Sequence, residues 1–279
     1  MFVQTLDDLK AAGMQEIHCD GALRTIDFLL KDDGMGFTIS DVRCTAGLDE
    51  VLWYKHHWEA NYIVAGTGLL EDLSTGQTWP MEPGVIYVVG PKNRHRFRAD
   101  TELHAFSIFN PPLLVADTPY DEDGSLSPTG DVPPGPGVLT VKRLDELRAA
   151  GREMAVAGGS ARSIRVLLQE DQLGFTLCDV RMDAGNRNEL WYKHHWEANI
   201  ILEGRGTVSD LNTGESWPLK SGTIYIVGPD DRHSMEAVSD LHLISIFNPP
   251  LRGDEQHDKE GTLPSSGPLP PGMKGIIVE

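Results

Sequence analysis

The 279-residue chain has few cysteines, few basic residues for its acidic ones, and no long apolar run. Each shortage removes a class of protein. Cys19, Cys44 and Cys178 form no Cys-x-x-Cys pair, which argues against a disulfide framework and against a thiolate metal site. Lys and Arg number 24 against 42 Asp and Glu, a formal net charge of −18, so the chain repels nucleic acid and anionic membrane surfaces. No stretch approaches the ~20 apolar residues that span a bilayer. The start, MFVQTLDDLK, lacks the basic region and apolar run of a signal peptide. The expectation is a cytoplasmic protein whose partner is a small molecule, with no nucleic acid and no membrane.

What the chain does contain is a duplication. A shift of 138 positions lays residues 53–61 (WYKHHWEAN) on 191–199 without a difference, and 107–113 (SIFNPPL) on 245–251. It also lays Leu6-Asp7-Asp8-Leu9 on Leu144-Asp145-Glu146-Leu147. One offset holds from start to end of the unit, so a whole domain is doubled. The expected boundaries are 1–116 and 138–279, with a Pro/Gly-rich linker at 117–137 crossing the surface in extended form.

Each copy opens with a short helical signal, the cap-like Thr5-Leu6-Asp7-Asp8 ahead of a stop at Gly13. After that the period changes to two. Segments 37–43, 61–64, 85–89 and 103–109 are rich in Val, Ile, Phe and Tyr, with Gly, Pro and Ser-Thr turns between them. This pattern predicts an all-β jelly-roll barrel in each copy, with only short helices. Apolar runs at 137–140 and 275–278 read as edge strands.

Glu59 and Gly66, like Glu197 and Gly204, keep the spacing of the first cupin motif. Trp53-Tyr54-Lys55 stands where a cupin has His-x-His, so the common three-histidine site cannot form. In the second motif Gly84 is followed by Tyr87 and Gly222 by Tyr225, with His95 and His233 eight residues further on. On a regular strand His57 and Glu59 share a face, and Gly90-Pro91 brings His95 beside Tyr87 on a hairpin partner. Two readings stand for these residues. Tyr87 and Tyr225 are metal ligands or rings that fill a barrel; His95 and His233 are ligands or exposed turn residues. Glu59 is harder to set aside, because an unpaired buried carboxylate is costly. Lys55 and Lys193, on the face of the glutamate, meet an anionic substrate or make a salt bridge. Trp58 and Trp196 read as packing residues.

Taken together, residues 29–37 (LLKDDGMGF), His57 and Glu59, Tyr87, His95, residues 109–113 (FNPPL) and 257–261 (HDKEG) resemble ectoine synthase over nearly all of each copy. The resemblance implies two tandem cupin domains. It implies metal ligands Glu197, Tyr225 and His233 in the second copy and Glu59, Tyr87 and His95 in the first. Such an O,O,N set suits iron (Fe2+), tolerates zinc, and leaves positions open for a substrate oxygen. By the same resemblance Arg165, Tyr192, Phe247 and Lys193 contact substrate, and His257 with Glu255 and Tyr192 carries out catalysis. The implied reaction is a metal-dependent cyclodehydration of an N-acetylated diamino acid, a carbon–oxygen lyase reaction.

The copies differ. Asp27 replaces Arg165, and Thr118 and Tyr120 replace Glu255 and His257, which makes the second copy the catalytic candidate. Both copies have valine (Val42, Val180) where the family has a substrate-contacting Thr, and Leu23 and Ala161 where it has Trp. Tyr54 and Tyr192 match the family, although strict alternation turns their rings away from the metal unless the strand bulges. Two other functions stay open: an iron-dependent oxygenase acting on a different small molecule, and a non-catalytic small-ligand binder. The family's homodimer pairing implies an intramolecular pseudo-dimer here, monomeric in solution or associating further as a homodimer.

Overall fold

The computed structural model describes residues 1–114 and 125–273. Among them, regular structure is almost entirely β, with α-helices only at Leu6–Ala11 and Leu144–Ala149. The first helix starts where the cap residues require: Asp8 N–H donates to Thr5 Oγ1 (3.1 Å) and Thr5 N–H to the Asp8 carboxylate (3.0 Å).

Two compact units emerge, one built on Leu9–Glu146 and the other combining Leu147–Gly272 with Met1–Asp8. In the first, a seven-stranded antiparallel sheet runs in the order Thr140–Arg143, Val85–Val89, Trp58–Ala65, Leu103–Asn110, Thr38–Cys44, Leu23–Phe28, Gln15–His18. A four-stranded sheet, Asp49–Leu52, His95–Ala99, Gly68–Asp72, Thr78–Met81, packs against it. Ile63, Val89 and Ala105 from the large sheet meet Leu70, Met81 and Phe97 from the small one in a common core. Burial of each larger side chain there contributes roughly 1.5–3 kcal/mol. The other unit repeats the plan, with the order Phe2–Thr5, Thr223–Val227, Trp196–Glu203, Leu241–Asn248, Thr176–Met182, Ala161–Leu167, Glu153–Val156. Its smaller sheet is Arg187–Leu190, His233–Ala237, Gly206–Asp210 and Ser216–Leu219.

The compact units and the sequence repeats differ at one place. Phe2–Thr5 pairs with Thr223–Val227 of the second repeat, placing Val3 opposite Tyr225. Thr140–Arg143 pairs with Val85–Val89 of the first, placing Val141 opposite Tyr87. Each repeat's opening strand is therefore the outermost strand of the other repeat's large sheet. Leu6 N–H to Gly222 O (2.9 Å) and Leu144 N–H to Gly84 O (3.0 Å) extend these pairings. The edge strand expected at 137–140 thus forms slightly later; the one expected at 275–278 lies outside the described residues.

The Pro/Gly-rich stretch, expected to cross the surface, is instead anchored where it is described. Leu126 packs with Phe109 and Leu113, and Pro133 O accepts the Trp58 indole N–H at 2.9 Å. Gly135 lies against that indole so closely that a Cβ would stand 2.0 Å from it, and Gly272 repeats the contact with Trp196 at 2.2 Å. Trp58 and Trp196 are packing residues of their own barrels.

Candidate active site

Strand register builds the site as one transverse row of inward side chains. In the second repeat, Tyr225 stands opposite Asn199, Asn199 opposite Ser245, Ser245 opposite Cys178, and Cys178 opposite Arg165. The first repeat has Tyr87, Asn61, Ser107, Ser40 and Asp27 in the same order. Glu197 and Glu59 lie two residues along the central strand from the asparagine, on the same face.

Both glutamates are buried, and one carboxylate oxygen of each, Oε2, has no hydrogen-bond partner. Burial raises each carboxyl to about 7, against the lowering effect of the neighbouring Asn and Ser. Burial also pushes Tyr87 and Tyr225 well above the ordinary phenol, with the adjacent glutamate adding to it. His95 and His233 are completely buried, not exposed turn residues. Their Nδ1–H groups donate to the main-chain oxygens of Asn93 (3.0 Å) and Asp231 (3.1 Å). A carbonyl can only accept, so the tautomer is fixed and Nε2 carries a bare lone pair, which has no partner. This is the arrangement by which a protein readies an imidazole nitrogen for metal. Ring centroids of tyrosine and histidine lie 6.5 Å apart in the first repeat and 6.3 Å in the second.

Glu–Tyr–His therefore offers one unpartnered carboxylate oxygen, one phenol and one free imidazole nitrogen in each barrel, and these donors fit a divalent metal of intermediate hardness such as iron or zinc. Among the described residues no group of three or more His, Cys, Asp or Glu could hold a metal, so each trio depends on its tyrosine.

The closing segment of the second repeat adds a second layer. Arg165 donates from Nη1 to Glu255 Oε2 (3.0 Å) and from Nη2 to Glu255 O (2.7 Å). Glu255 also accepts from the main-chain N–H of Arg252 (2.7 Å) and Gly253 (2.9 Å). Burial alone would raise its pKa; those N–H donors and the Arg165 charge outweigh it and hold the carboxyl below the ordinary range. His257 Nδ1 accepts the Ala157 N–H at 3.4 Å, which leaves the ring proton on Nε2, 3.1 Å from the Tyr192 hydroxyl oxygen. Burial and the Arg165 charge lower His257 to about 4, so the ring is neutral at pH 7. With Nε2–H donating to its oxygen, Tyr192 keeps its own proton to offer. The Tyr192 ring also packs edge-on against Phe247, centroids 5.3 Å apart.

Several expectations are corrected by this geometry. The central strands begin only at Trp58 and Trp196, so residues 53–57 and 191–195 do not alternate. Tyr54 and Tyr192 consequently line their cavities without a bulge. His57, not on the strand, bonds through Nε2 to Thr129 Oγ1 (3.0 Å). Lys193 does not line the cavity: it pairs with Glu260 (2.9 Å) and lies 4.0 Å above the Trp191 ring, where both its charge and its stem are satisfied. His95 does not return on a hairpin beside Tyr87. Its strand joins the small sheet, between Asp49–Leu52 and Gly68–Asp72, and reaches Tyr87 across the barrel. Glu255 is occupied by Arg165 and is not a free base. Thr118 and Tyr120 lie outside the described residues. The Asn–Ser pairs beside the glutamates escape sequence reasoning, although both lie in the stretches that repeat without change. The cavities also differ in size, about 660 Å³ in the first repeat and about 50 Å³ in the second.

Two jelly-roll barrels in one chain, each with its own inward Glu–Tyr–His trio, define a bicupin. Its fold is similar to that of the oxalate decarboxylase of Lactobacillus farciminis, solved as a formate complex. The TM-score is 0.63 at 14% identity, covering 90% of this chain and 87% of that one. A sequence model of the ectoine synthase family matches residues 1–129 and again 139–267. The chain belongs to the ectoine synthase family, with the family unit present twice. L-Ectoine synthase of Shouchella clausii is 35% identical over 138 residues, 98% of its own length and 50% of this chain. That of Oceanobacillus iheyensis is 38% identical over 126 residues, 97% of its length and 45% of this chain.

Proposed function

We propose that the second-repeat barrel is a metal-dependent cyclodehydratase acting on an N-acetylated diamino acid or a close analogue. The observation that carries this reading is the hydroxyl–imidazole pair Tyr192–His257 over the Glu197–Tyr225–His233 trio, beside Arg165. Glu197, Tyr225 and His233 would hold the metal, with Fe2+ favoured by the O,O,N donors and zinc tolerated. Bound there, a metal supplies Lewis-acid polarisation of the amide oxygen.

The chain's own residues supply the rest. Arg165, with Nη1 and Nη2 each already donating to Glu255, offers its remaining N–H donors to a substrate carboxylate, and Phe247 with Tyr192 walls the apolar portion of the substrate. In the reaction the free amine forms a bond to the amide carbon. The carbon–oxygen bond breaks, and both amine hydrogens leave with the oxygen as water, closing a cyclic amidine. Tyr192 donates a proton to the departing oxygen, the Nε2–H of His257 steadies the phenolate left behind, and the proton released from the amine restores the hydroxyl. The cavity, at about 50 Å³, is small beside the roughly 300–1,000 Å³ of ordinary small-molecule sites.

Metal content of freshly purified protein, followed by incubation with N-acetylated 2,4-diaminobutyrate, tests the proposal. The expected result is bound iron and a product lighter by one water. Protein that binds no metal on reconstitution with iron or zinc, and forms no such product, rules the reading out.

A further inference from the structure

The two barrels share a row of inward side chains but differ in charge at its end. The residue two strands from the central Ser is Arg165 in the second repeat and Asp27 in the first. The change does not stand alone. Glu16 and Glu50 line the first cavity, where the 138-position shift gives Met154 and Asn188 in the second repeat. With Glu59 the first cavity carries four carboxylates and, among the described residues, no lysine or arginine. The second is lined by one arginine and one carboxylate, Arg165 and Glu197.

Among the described residues no lysine or arginine pairs with the first set. Among the described residues Glu16 has only His18 as an ion-pair partner, at 3.4 Å, and Asp27 and Glu50 are paired with no basic side chain. Glu59, 5% exposed, presents an unpartnered Oε2 to the same space. A metal on Glu59, Tyr87 and His95 would account for Glu59 and leave the other three unanswered. Like charges gathered in a low-dielectric wall are costly: burial shifts Asp27 and Glu59 toward their neutral forms, and a cation in the cavity would favour the ionised ones. The cavity, at about 660 Å³, is in the usual range for small-molecule sites and has aromatic walls in Tyr54 and Phe109. Such walls attract cations through their ring faces.

We propose that the first-repeat cavity is a binding site for a small organic cation, an alkylammonium that carries no carboxylate. Asp27 and Glu50 take the ammonium group, Glu16 supports them from the rim, and the aromatic walls cover the alkyl chain. Asp27 repels the carboxylate that Arg165 attracts in the other barrel, so the first cavity disfavours that barrel's substrate. The lyase chemistry of the second barrel plays no part in this site.

Calorimetric titration of the full chain with 1,4-diaminobutane tests it, with butane-1,4-diol and succinate as controls of matched length. Saturable binding of the diamine is expected, with the diol and succinate weaker by at least about tenfold. Asp27→Asn and Glu50→Asn should each weaken the diamine by about tenfold or more, with thermal unfolding reporting that each variant folds. Glu50→Asn installs the residue that the second barrel already accommodates at that place. Absence of diamine binding, a diol that binds as well as the diamine, or wild-type affinity in both folded variants overturns the proposal.

Discussion

The guanidinium of Arg165 and the carboxylate of Glu255 meet at 3.0 Å with side-chain exposures of 4% and 0%. A pair so enclosed holds the closing segment of the second repeat to its barrel. Removing one member leaves the other as an uncompensated buried charge. Arg165→Met should therefore destabilise the protein by about 3–5 kcal/mol, read as a lower urea midpoint. Arg165→Met combined with Glu255→Met should recover most of that loss. Equal midpoints for wild type and the single variant would contradict the role given to this pair.

The same segment sets part of the acid response. Glu255 titrates below its ordinary 4.5 when folded, so its contribution is present above that value and is lost as pH falls through the lower one. His257 is shifted down from 6.5 to about 4 by burial and by Arg165. Between those values the unfolded chain binds a proton that the folded chain does not, so stability drops as pH falls from 6.5 toward 4. His57 and His195, also near 4 through burial, share this window, as do His95 and His233, which burial likewise lowers; Glu59 and Glu197, raised to about 7, act in the opposite direction. His257→Gln should make the slope of unfolding free energy against pH there shallower by up to one proton's worth. An unchanged slope would mean that His257 is already accessible to protons in the folded state.

Metal retention should follow the trio. Glu197→Gln keeps the size of the side chain but removes the anionic oxygen, and is expected to lower metal per chain and weaken its binding by about 10-fold or more. Tyr225→Phe should do the same, whereas Lys193→Ala, whose side chain pairs with Glu260 outside the cavity, should not. Elemental analysis of the three purified variants decides the matter.

Turnover should depend on Tyr192 and His257 as a unit. His257→Asn is expected to lower kcat by about 10²–10⁴-fold. Adding Tyr192→Phe to it should cost little more, because the two residues act on the same proton. Losses that multiply would separate their roles.

Much of this was legible in the sequence, for reasons that can be named. The trio is visible because Glu59, Tyr87 and His95 recur at one shift while the residues around His95 diverge. The strands at Val85–Val89 and Leu103–Asn110 announce themselves through β-branched and aromatic runs bounded by Gly and Pro. Tyr192 and Lys193 were harder, because period-two reasoning assumes a strand and none exists before Trp196. The position of His95 could not be read locally either: whether a strand after a turn pairs with its predecessor or crosses to another sheet depends on distant partners. Nor does local pattern reveal that Phe2–Thr5 belongs beside Thr223–Val227, since an edge strand looks alike wherever it docks.

A fragment comprising residues 125–273 alone tests that last arrangement. It would carry Thr140–Arg143 without the Val85–Val89 strand it pairs with, and Thr223–Val227 without Phe2–Thr5. Two copies can fill each other's open edge, so size measurement should show a dimer that dissociates only on unfolding. A stable monomer would show that a single repeat can close on its own strand.

Each repeat's barrel is completed by an edge strand from the other repeat. Deleting either copy would leave the survivor with an open edge that only a second chain could cover, even where the deleted copy's chemistry has lapsed. A copy retained for its architecture is free to change its interior without risk to catalysis in the other. Gene duplication usually leaves a redundant copy exposed to loss; here the interlaced fold shelters it, giving a cavity such as that around Asp27 time to acquire a ligand of its own.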